Sequence, residues 1–447
     1  MSTTASRRPW PDRRSVWRWH FYAGLFCIPF VVVLSLSGAI YLFKAEVESW
    51  LERPYDRLAT VGPSQTAAAR VGAALAAVPG STFKAYELPG PVRDGAVFTP
   101  ATRVILDRDG EALRTYVHPT TLDVLAVLPE SDRLMRQVAR LHGELLLGDP
   151  GSMIVELAAS WAVVMILTGL WLWWPRQARS LAGVVYPRLR GGPRVFWLDL
   201  HAVTGVWVSG CALFLLASGL PWATSWGAYL KLARRLTGTA AVQDWNSGRA
   251  APAGHGDHAH SERAAGDVDF TTLDRVSASA ATLHFEPPVT IAPERGGRGT
   301  WTVKSETLNR PRRAEAVVDG MSGAVLSRKD FHDRHFVDRV VGYGIAAHEG
   351  RLFGWPNQAL GLLTACGLVL VSASGATMWW RRRQRGSLGA PPTVGGDGGR
   401  GAIAVGATVL VLGIWLPLFG ASLAAVLLVE RLVLRRIPRL ATWLGLA

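Results

Sequence analysis

The sequence predicts a membrane α-helical bundle of about six transmembrane helices, internally duplicated, with two external α+β domains. Three observations predict it. The hydrophobicity comes in blocks of spanning length, the excess positive charge lies in short stretches flanking those blocks, and two sets of residues recur at fixed offsets.

Of the 447 residues, 49% are hydrophobic. The apolar blocks fall at 20–43, 151–175, 196–221 and 355–380. Each has the roughly 20 apolar residues that a helix needs to cross the hydrocarbon core. A fifth block, 401–434, is too long for one crossing, and Pro417 and Gly420 divide it into two runs, predicting a tight helical hairpin. The first block follows a basic tail, 1–19, as a signal peptide would, but it is long and lacks a small-residue cleavage site, so it is expected to stay as an anchor.

The net charge is +14. Residues 44–150 carry 12 Lys and Arg against 14 Asp and Glu, and residues 221–355 carry 17 against 15, so these long segments together are neutral. The excess lies in the tail 1–19, the loops 176–195 and 381–400, and the tail 435–447. Short basic loops stay in the cytoplasm, whereas long domains translocate largely regardless of charge. Both termini are therefore expected in the cytoplasm, with 44–150 and 222–354 on the outer side. Basic residues scattered over membrane flanks, with no single patch, point away from nucleic acid. Cys27, Cys211 and Cys366 all fall within predicted helices and form no Cys-x-x-Cys pattern.

An offset of 206 aligns His142 with His348, Asp132-Arg133 with Asp338-Arg339, Gly148-x-Pro150 with Gly354-x-Pro356, Gly169 with Gly375, and Trp173-Trp174 with Trp379-Trp380. An offset of 181 aligns His20 with His201, Gly24 with Gly205, and Ser37-Gly38 with Ser218-Gly219. The Gly/Ala/His-rich insertion 248–267 supplies most of the difference between the offsets. The repeated unit is a helix out, an external domain and a helix back. Parallel repeats are related by an axis along the membrane normal, so equivalent residues lie at equal depth. Two histidine couples follow, His20 with His201 and His142 with His348, one near each face.

Residues 66–128 and 268–328 each read as a helix followed by short strands. The alternating stretch from Arg103 to Leu128 turns at Asp109-Gly110, as hairpins do. Two separate sheets, each with one helix packed on it, are expected. Leu134, Val138, Leu141 and Leu145 put an apolar stripe on residues 133–147, predicting an interfacial helix with His142 at its border.

The first helix with "WRWHFYAGLFCIPFVVVLSLSGAIYLF", sheet ends such as "VVDGMSGAVL", and H-x5-G-x-P before a helix closing in Trp-Trp resemble the PepSY-associated transmembrane family. The resemblance covers roughly residues 15–385 and extends to the terminal hairpin. It implies external PepSY-like domains, a bacterial inner-membrane location and iron uptake. It also implies a haem-containing reductase of a ferric siderophore or other ferric chelate. Two departures are His118-Pro119, where the first sheet usually carries Asp-Pro, and the 248–267 insertion.

Intramembrane histidines are functional candidates by default, and imidazole is a common haem ligand. His20, His201, His142 and His348 are the candidate axial iron ligands. No Cys-x-x-Cys-His occurs, so the expected cofactor is non-covalent haem b, in two copies. With both axial positions filled, the expected chemistry is electron transfer, from a quinol or a cytoplasmic reductase to the ferric chelate. Gly24, Gly205, Gly38 and Gly219 would let the backbone approach a flat ring, and Arg133 and Arg339 are candidates to meet its propionates. The competing reading takes the histidines as structural and the chain as a membrane-anchored envelope-binding regulator without redox work. A transporter is a third reading, for which the layout offers no clear path. Glu156 reads as an interfacial residue, because the repeat puts Leu362 at its position. "HGDHAH" at 255–260 reads as a solvated linker. No P-loop, dinucleotide fingerprint or nucleophile elbow is present.

Overall fold

A computed structural model describes residues 11–59, 62–90, 98–175, 180–239, 268–294, 299–391 and 400–446. The His-rich insertion 248–267 lies outside the described residues. The first half of the chain forms α1 (Arg13–Tyr41), α2 (Lys44–Leu51), α3 (Arg53–Asp56), β1 (Leu58–Ala59), α4 (Ala67–Ala77), β2 (Thr82–Leu88), β3 (Phe98–Thr99), β4 (Thr102–Arg108), β5 (Glu111–Val117), β6 (Val124–Pro129), α5 (Leu134–Glu144) and α6 (Asp149–Trp173). The second half forms α7 (Gly192–Gly219), α8 (Thr224–Leu236), α9 (Leu273–Thr282), β7 (Val289–Pro293), β8 (Thr300–Ser305), β9 (Ala314–Asp319), β10 (Val325–Asp330), α10 (Phe336–His348) and α11 (Trp355–Arg382). α12 (Arg400–Trp415), α13 (Pro417–Leu432) and α14 (Pro438–Leu444) follow. Two compact units result: Met1–Ala39, Arg140–Ala240 and Ala359–Ala447 form a helical one, and Ile40–Ala139 with Ala241–Gln358 forms one built on a sheet.

Among the described residues, five helical segments are long and apolar enough to cross a membrane: Arg13–Tyr41, Asp149–Trp173, Gly192–Trp222, Trp355–Arg382 and Pro417–Arg436. The sixth expected crossing, α12, has 16 residues. At 1.5 Å per residue it rises about 24 Å, short of a straight passage through a core of about 30 Å. Large apolar side chains such as Leu410, Val411, Leu427 and Leu428 are each more than half exposed. Apolar surface of this extent is stable only when something other than water covers it, and a bilayer does. The expected hairpin break falls at Pro417, which begins α13. Gly420 does not break the helix. A Cβ there would lie 3.2 Å from the Gly413 Cα, so these two glycines let the hairpin backbones touch. Phe419 and Leu416 bury against Val163 and Leu220, and the Trp161 indole donates to Ser422 Oγ at 3.1 Å, fixing the hairpin to α6.

In the sheet-bearing unit the order is β10-β9-β8-β7-β2-β4-β5-β6, all antiparallel. This corrects the expectation of two separate sheets. β2 and β7 pair through Tyr86↔Ile291, Glu87↔Thr290 and Leu88↔Val289, so the halves share one eight-stranded sheet. The physical reason is edge satisfaction: two four-stranded halves would each leave another open strand edge, and joining them pairs both. One helix per half is as expected. α4 and α9 contribute Val71, Ala74, Leu273 and Val276 to a single core with Tyr86, Val104, Leu106, Ile291 and Val303. The Asp109-Gly110 turn has both residues at positive φ, 56° and 83°, which suits the right-handed twist of a hairpin.

The other face of the first half-sheet is charged. Arg103 donates to Glu52 at 2.7 Å and Asp56 at 2.6 Å, and Arg114 donates to Glu87 at 2.9 Å and to Glu130. On α2, Glu46 accepts from Arg351 Nη2 at 3.0 Å and Gln358 Nε2 at 3.0 Å. The Arg351 hydrogen bond, more than the Gln358 one, holds the Glu46 carboxyl down at about 2, against the opposing effect of burial. A depressed carboxyl contributes stability that is complete above its ordinary value, 4.5, and lost as pH falls through about 2. Glu46→Gln is therefore expected to flatten the thermal-stability profile between those pH values and to lower stability at neutral pH, as an acid titration of the melting temperature would show.

Candidate functional site

His20 lies two turns into α1, and His201 lies at the equivalent place in α7. Their rings approach to 6.2 Å between centroids, with planes 80° apart. Each is gripped from behind by the helix that returns in its own repeat. His20 Nδ1 sits 2.9 Å from the Met165 carbonyl and 3.2 Å from Thr168 Oγ1 on α6. His201 Nδ1 sits 3.1 Å from the Val371 carbonyl and 3.2 Å from Ser374 Oγ on α11. The next residue in each case is a glycine. A Cβ on Gly169 would stand 3.0 Å from His20 Cε1, and one on Gly375 would stand 3.3 Å from His201 Cε1.

The same arrangement recurs at His142. Its Nδ1 lies 3.1 Å from Ser37 Oγ on α1, its ring bonds the Leu34 backbone, and a Cβ on Gly38 would stand 3.0 Å from its Cε1. Gly38 therefore makes room for an imidazole. His142 reaches this place because α5 ends at Glu144, Leu145 and Leu146 take positive φ, and Gly148 (φ 67°) with Pro150 starts α6 afresh. The expected apolar stripe on α5 is only partly right: Leu134 is 53% exposed, and Met135 is the buried residue. Burial pushes the His142 imidazole below its ordinary value, which favours the neutral form that ligates metals. His348 closes α10 in the sheet-bearing unit, beside the fully buried Ile345 and Ala346.

The first couple fits an axially ligated iron macrocycle. With metal–nitrogen bonds of about 2 Å and roughly 1 Å from ring nitrogen to ring centre, two opposed imidazoles need about 6 Å between centroids. Both Nδ1 atoms are engaged by carbonyls, which leaves both Nε2 atoms for a metal, the usual outer-shell pattern of ligating histidines. One turn along from each histidine stands a glycine: a Cβ on Gly205 would meet nothing within 4 Å, and one on Gly24 only Met165 Sδ at 3.9 Å. Gly169→Ala is expected to displace the His20 ring, and with it any haem the couple holds, read as the shift of the His20 imidazole resonances and as haem per chain after purification.

The family profile described as PepSY-associated TM region matches residues 17–382. The chain belongs to this family. No curated protein matches it. The match ends at the last residue of α11, so the α12–α13 hairpin and α14 lie beyond it in this PepSY-associated chain.

Other expectations sort out as follows. Arg133 is committed elsewhere: it meets Glu52 at 2.6 Å, Glu130 at 3.2 Å and Glu48 at 3.3 Å, so its guanidinium is taken up by carboxylates of its own unit and does not suit a propionate. Arg339 Nε is shielded from solvent without a hydrogen-bond partner. Glu156 is buried and caps α8, accepting from Ser225 N at 3.0 Å and Trp226 N at 3.2 Å. His118 Nδ1 accepts from Thr120 N and Thr121 N at 3.3 Å and organises a turn.

Sequence reasoning missed the hydroxyls of Thr168, Ser374 and Ser37. Their signal was available as a Ser/Thr-Gly pair near the end of each returning or outgoing helix. It also missed the residues two places before the first couple. Arg18 donates to the Pro391 carbonyl at 2.7 Å and the Gly445 carbonyl at 2.8 Å, and Asp199 accepts from Arg188 Nε at 2.7 Å. Both are buried, and each ties the head of its helix to a neighbouring loop.

Proposed function

We propose that this PepSY-associated protein is a bacterial inner-membrane electron conduit that reduces a ferric chelate, a ferric siderophore by family resemblance, for iron uptake. Both termini face the cytoplasm and the sheet-bearing unit faces the periplasm. His20 and His201 hold one non-covalent haem b, and His142 and His348 hold a second. The observation that carries the reading is the approach of His20 to His201, 6.2 Å apart, with both Nδ1 atoms turned away onto carbonyls. Two imidazoles alone under-coordinate a free metal ion, and a planar macrocycle supplies the rest. The second couple rests on the sequence repeat.

When bound, haem with two axial imidazoles has no open site and passes single electrons. The chain's own residues do the remainder. α6 and α11 orient the imidazoles, the apolar helices keep bulk water away, and Arg18 and Asp199 fix the helix heads.

The test is the reduced-minus-oxidised spectrum of protein purified in detergent from haem-sufficient cells, with haem counted per chain. Two b-type haems that a ferric siderophore reoxidises support the proposal. A colourless preparation removes it and leaves an anchored binding module. Haem that ferric chelates do not reoxidise leaves the cofactor but overturns the substrate.

A further inference from the structure

Three histidines are held by one repeated device, and its hydrogen-bond logic fixes their tautomer. The device is a backbone carbonyl, a hydroxyl three residues on and a glycine one further: Met165, Thr168 and Gly169 around His20; Val371, Ser374 and Gly375 around His201; Leu34, Ser37 and Gly38 around His142. In each the hydroxyl has already spent its proton on its own helix. Thr168 Oγ1 donates to the Val164 carbonyl at 2.7 Å, Ser37 Oγ to the Val33 carbonyl at 2.7 Å, and Ser374 Oγ to the Val371 carbonyl at 2.9 Å. A hydroxyl so committed offers only its oxygen. Nδ1 therefore faces two acceptors and must carry the proton, and Nε2 must carry the lone pair. The glycine leaves no Cβ to push Cε1, so the ring lies against the helix in one roll angle. Ser218 keeps the same posture, donating to the Phe214 carbonyl at 2.7 Å, with Gly219 after it.

We propose that Thr168 and Ser374 are positioning residues that, as second acceptors beside the carbonyls that fix the tautomer, set the strength of the Nδ1–H hydrogen bonding, the roll and hence the redox potential of the His20–His201 couple. The inference rests on the haem reading above, because it names what tunes that same site. A hydrogen bond from Nδ1–H to an acceptor makes the imidazole a stronger donor to iron and favours the ferric state. Removing one of the two acceptors weakens that push. The 80° between the ring planes is held by the two cradles. Perpendicular axial imidazoles leave the iron d-orbitals nearly degenerate, which gives a low-spin ferric EPR signal with an unusually large principal g value.

The experiment compares Thr168→Val, Ser374→Ala and the conservative Thr168→Ser in the full-length protein in detergent. Haem count, midpoint potentials and EPR are read on the purified protein. The ¹⁵N shifts of labelled histidine are read on haem-free protein. Thr168→Val and Ser374→Ala are expected each to retain haem, raise one midpoint potential and move the large-g signal. Thr168→Ser is expected to match wild type. The haem-free protein should show Nδ1-protonated imidazoles at positions 20 and 201, and the Val and Ala variants the same tautomer with a shifted Nδ1 resonance, because one acceptor is lost and the carbonyl stays. If haem binds but neither variant moves potential, EPR or the Nδ1 resonance, the positioning role is overturned while the haem reading stands. If wild type binds no haem, the haem reading fails, and the ¹⁵N shifts still decide whether the hydroxyls act as second acceptors at Nδ1. Should Thr168→Val fail to fold, Ser374→Ala, on the other helix, decides alone.

Discussion

His201→Ala is expected to remove one of two haems and to abolish electron delivery to the ferric chelate, while the helices and the sheet stay folded. The two effects have one cause. In the proposed couple His201 would supply one of the two imidazoles that hold the haem, and its loss would leave His20 without the partner ring that lies 6.2 Å away. Outer-shell changes alone cost about 10- to 100-fold in metal affinity, and loss of the ligand itself should exceed that. The fold should survive because His201 is only half-buried, and α7 packs along α6 and, at Val208 and Thr204, against Gly367 of α11. Val208 lies against Gly367, where a Cβ would come within 2.4 Å. Pyridine haemochrome stoichiometry on purified protein checks the first effect, and circular dichroism the second. His332→Ala, at an exposed position on a short turn, is the control expected to keep both haems. Two haems retained in His201→Ala would overturn this couple as a ligand pair. It would leave the cradle at His142 as the better site.

What the sequence disclosed and what it hid follow from the range of the interactions involved. Five spans, the Pro417 break and the approach of His20 to His201 were legible, because hydropathy, proline geometry and duplication are local or periodic signals. The cradle was half legible. Gly169, Gly375 and Gly38 stood out as repeated residues, yet Gly38 was read as room for a macrocycle, and Gly169 and Gly375 were given no use beyond the repeat. Which object a glycine makes room for depends on the partner helix. Thr168 and Ser374 differ in identity, so residue matching passed over them although their oxygens do the same work. Arg133 and Arg339 align in the repeat but are used differently, because Glu48 on α2 and Glu52 just after it reach Arg133. Arg18 and Asp199 share a repeat position with opposite charge, and both anchor a helix head. The length of α12 shows the limit of a hydropathy block, which does not say where a helix ends.

The joined sheet makes the second large prediction. Alternation and turns specify strands and hairpins within a half, but nothing local in 82–88 or 289–293 says that these two strands are neighbours. The pairing is specified by the core beneath it. Ile291 is fully buried at the seam, opposite Tyr86, with Val303 beside it. Ile291→Ala is expected to cost about 2–5 kcal/mol, the usual range for a large-to-small change in a core that cannot collapse around the void. The diagnostic result is where the loss is felt. With one sheet and one core, amide exchange should accelerate in β2 and β4 as well as in β7 and β8, since opening the seam exposes strands of both halves. With two independent modules, protection would fall in β7–β10 alone. Hydrogen exchange with mass spectrometry on the full chain separates these outcomes. Fast exchange confined to the second half would mean that the β2–β7 pairing contributes little. A loss spread across both would make the sheet a single cooperative unit, in which the two halves of the duplicated gene fold only together.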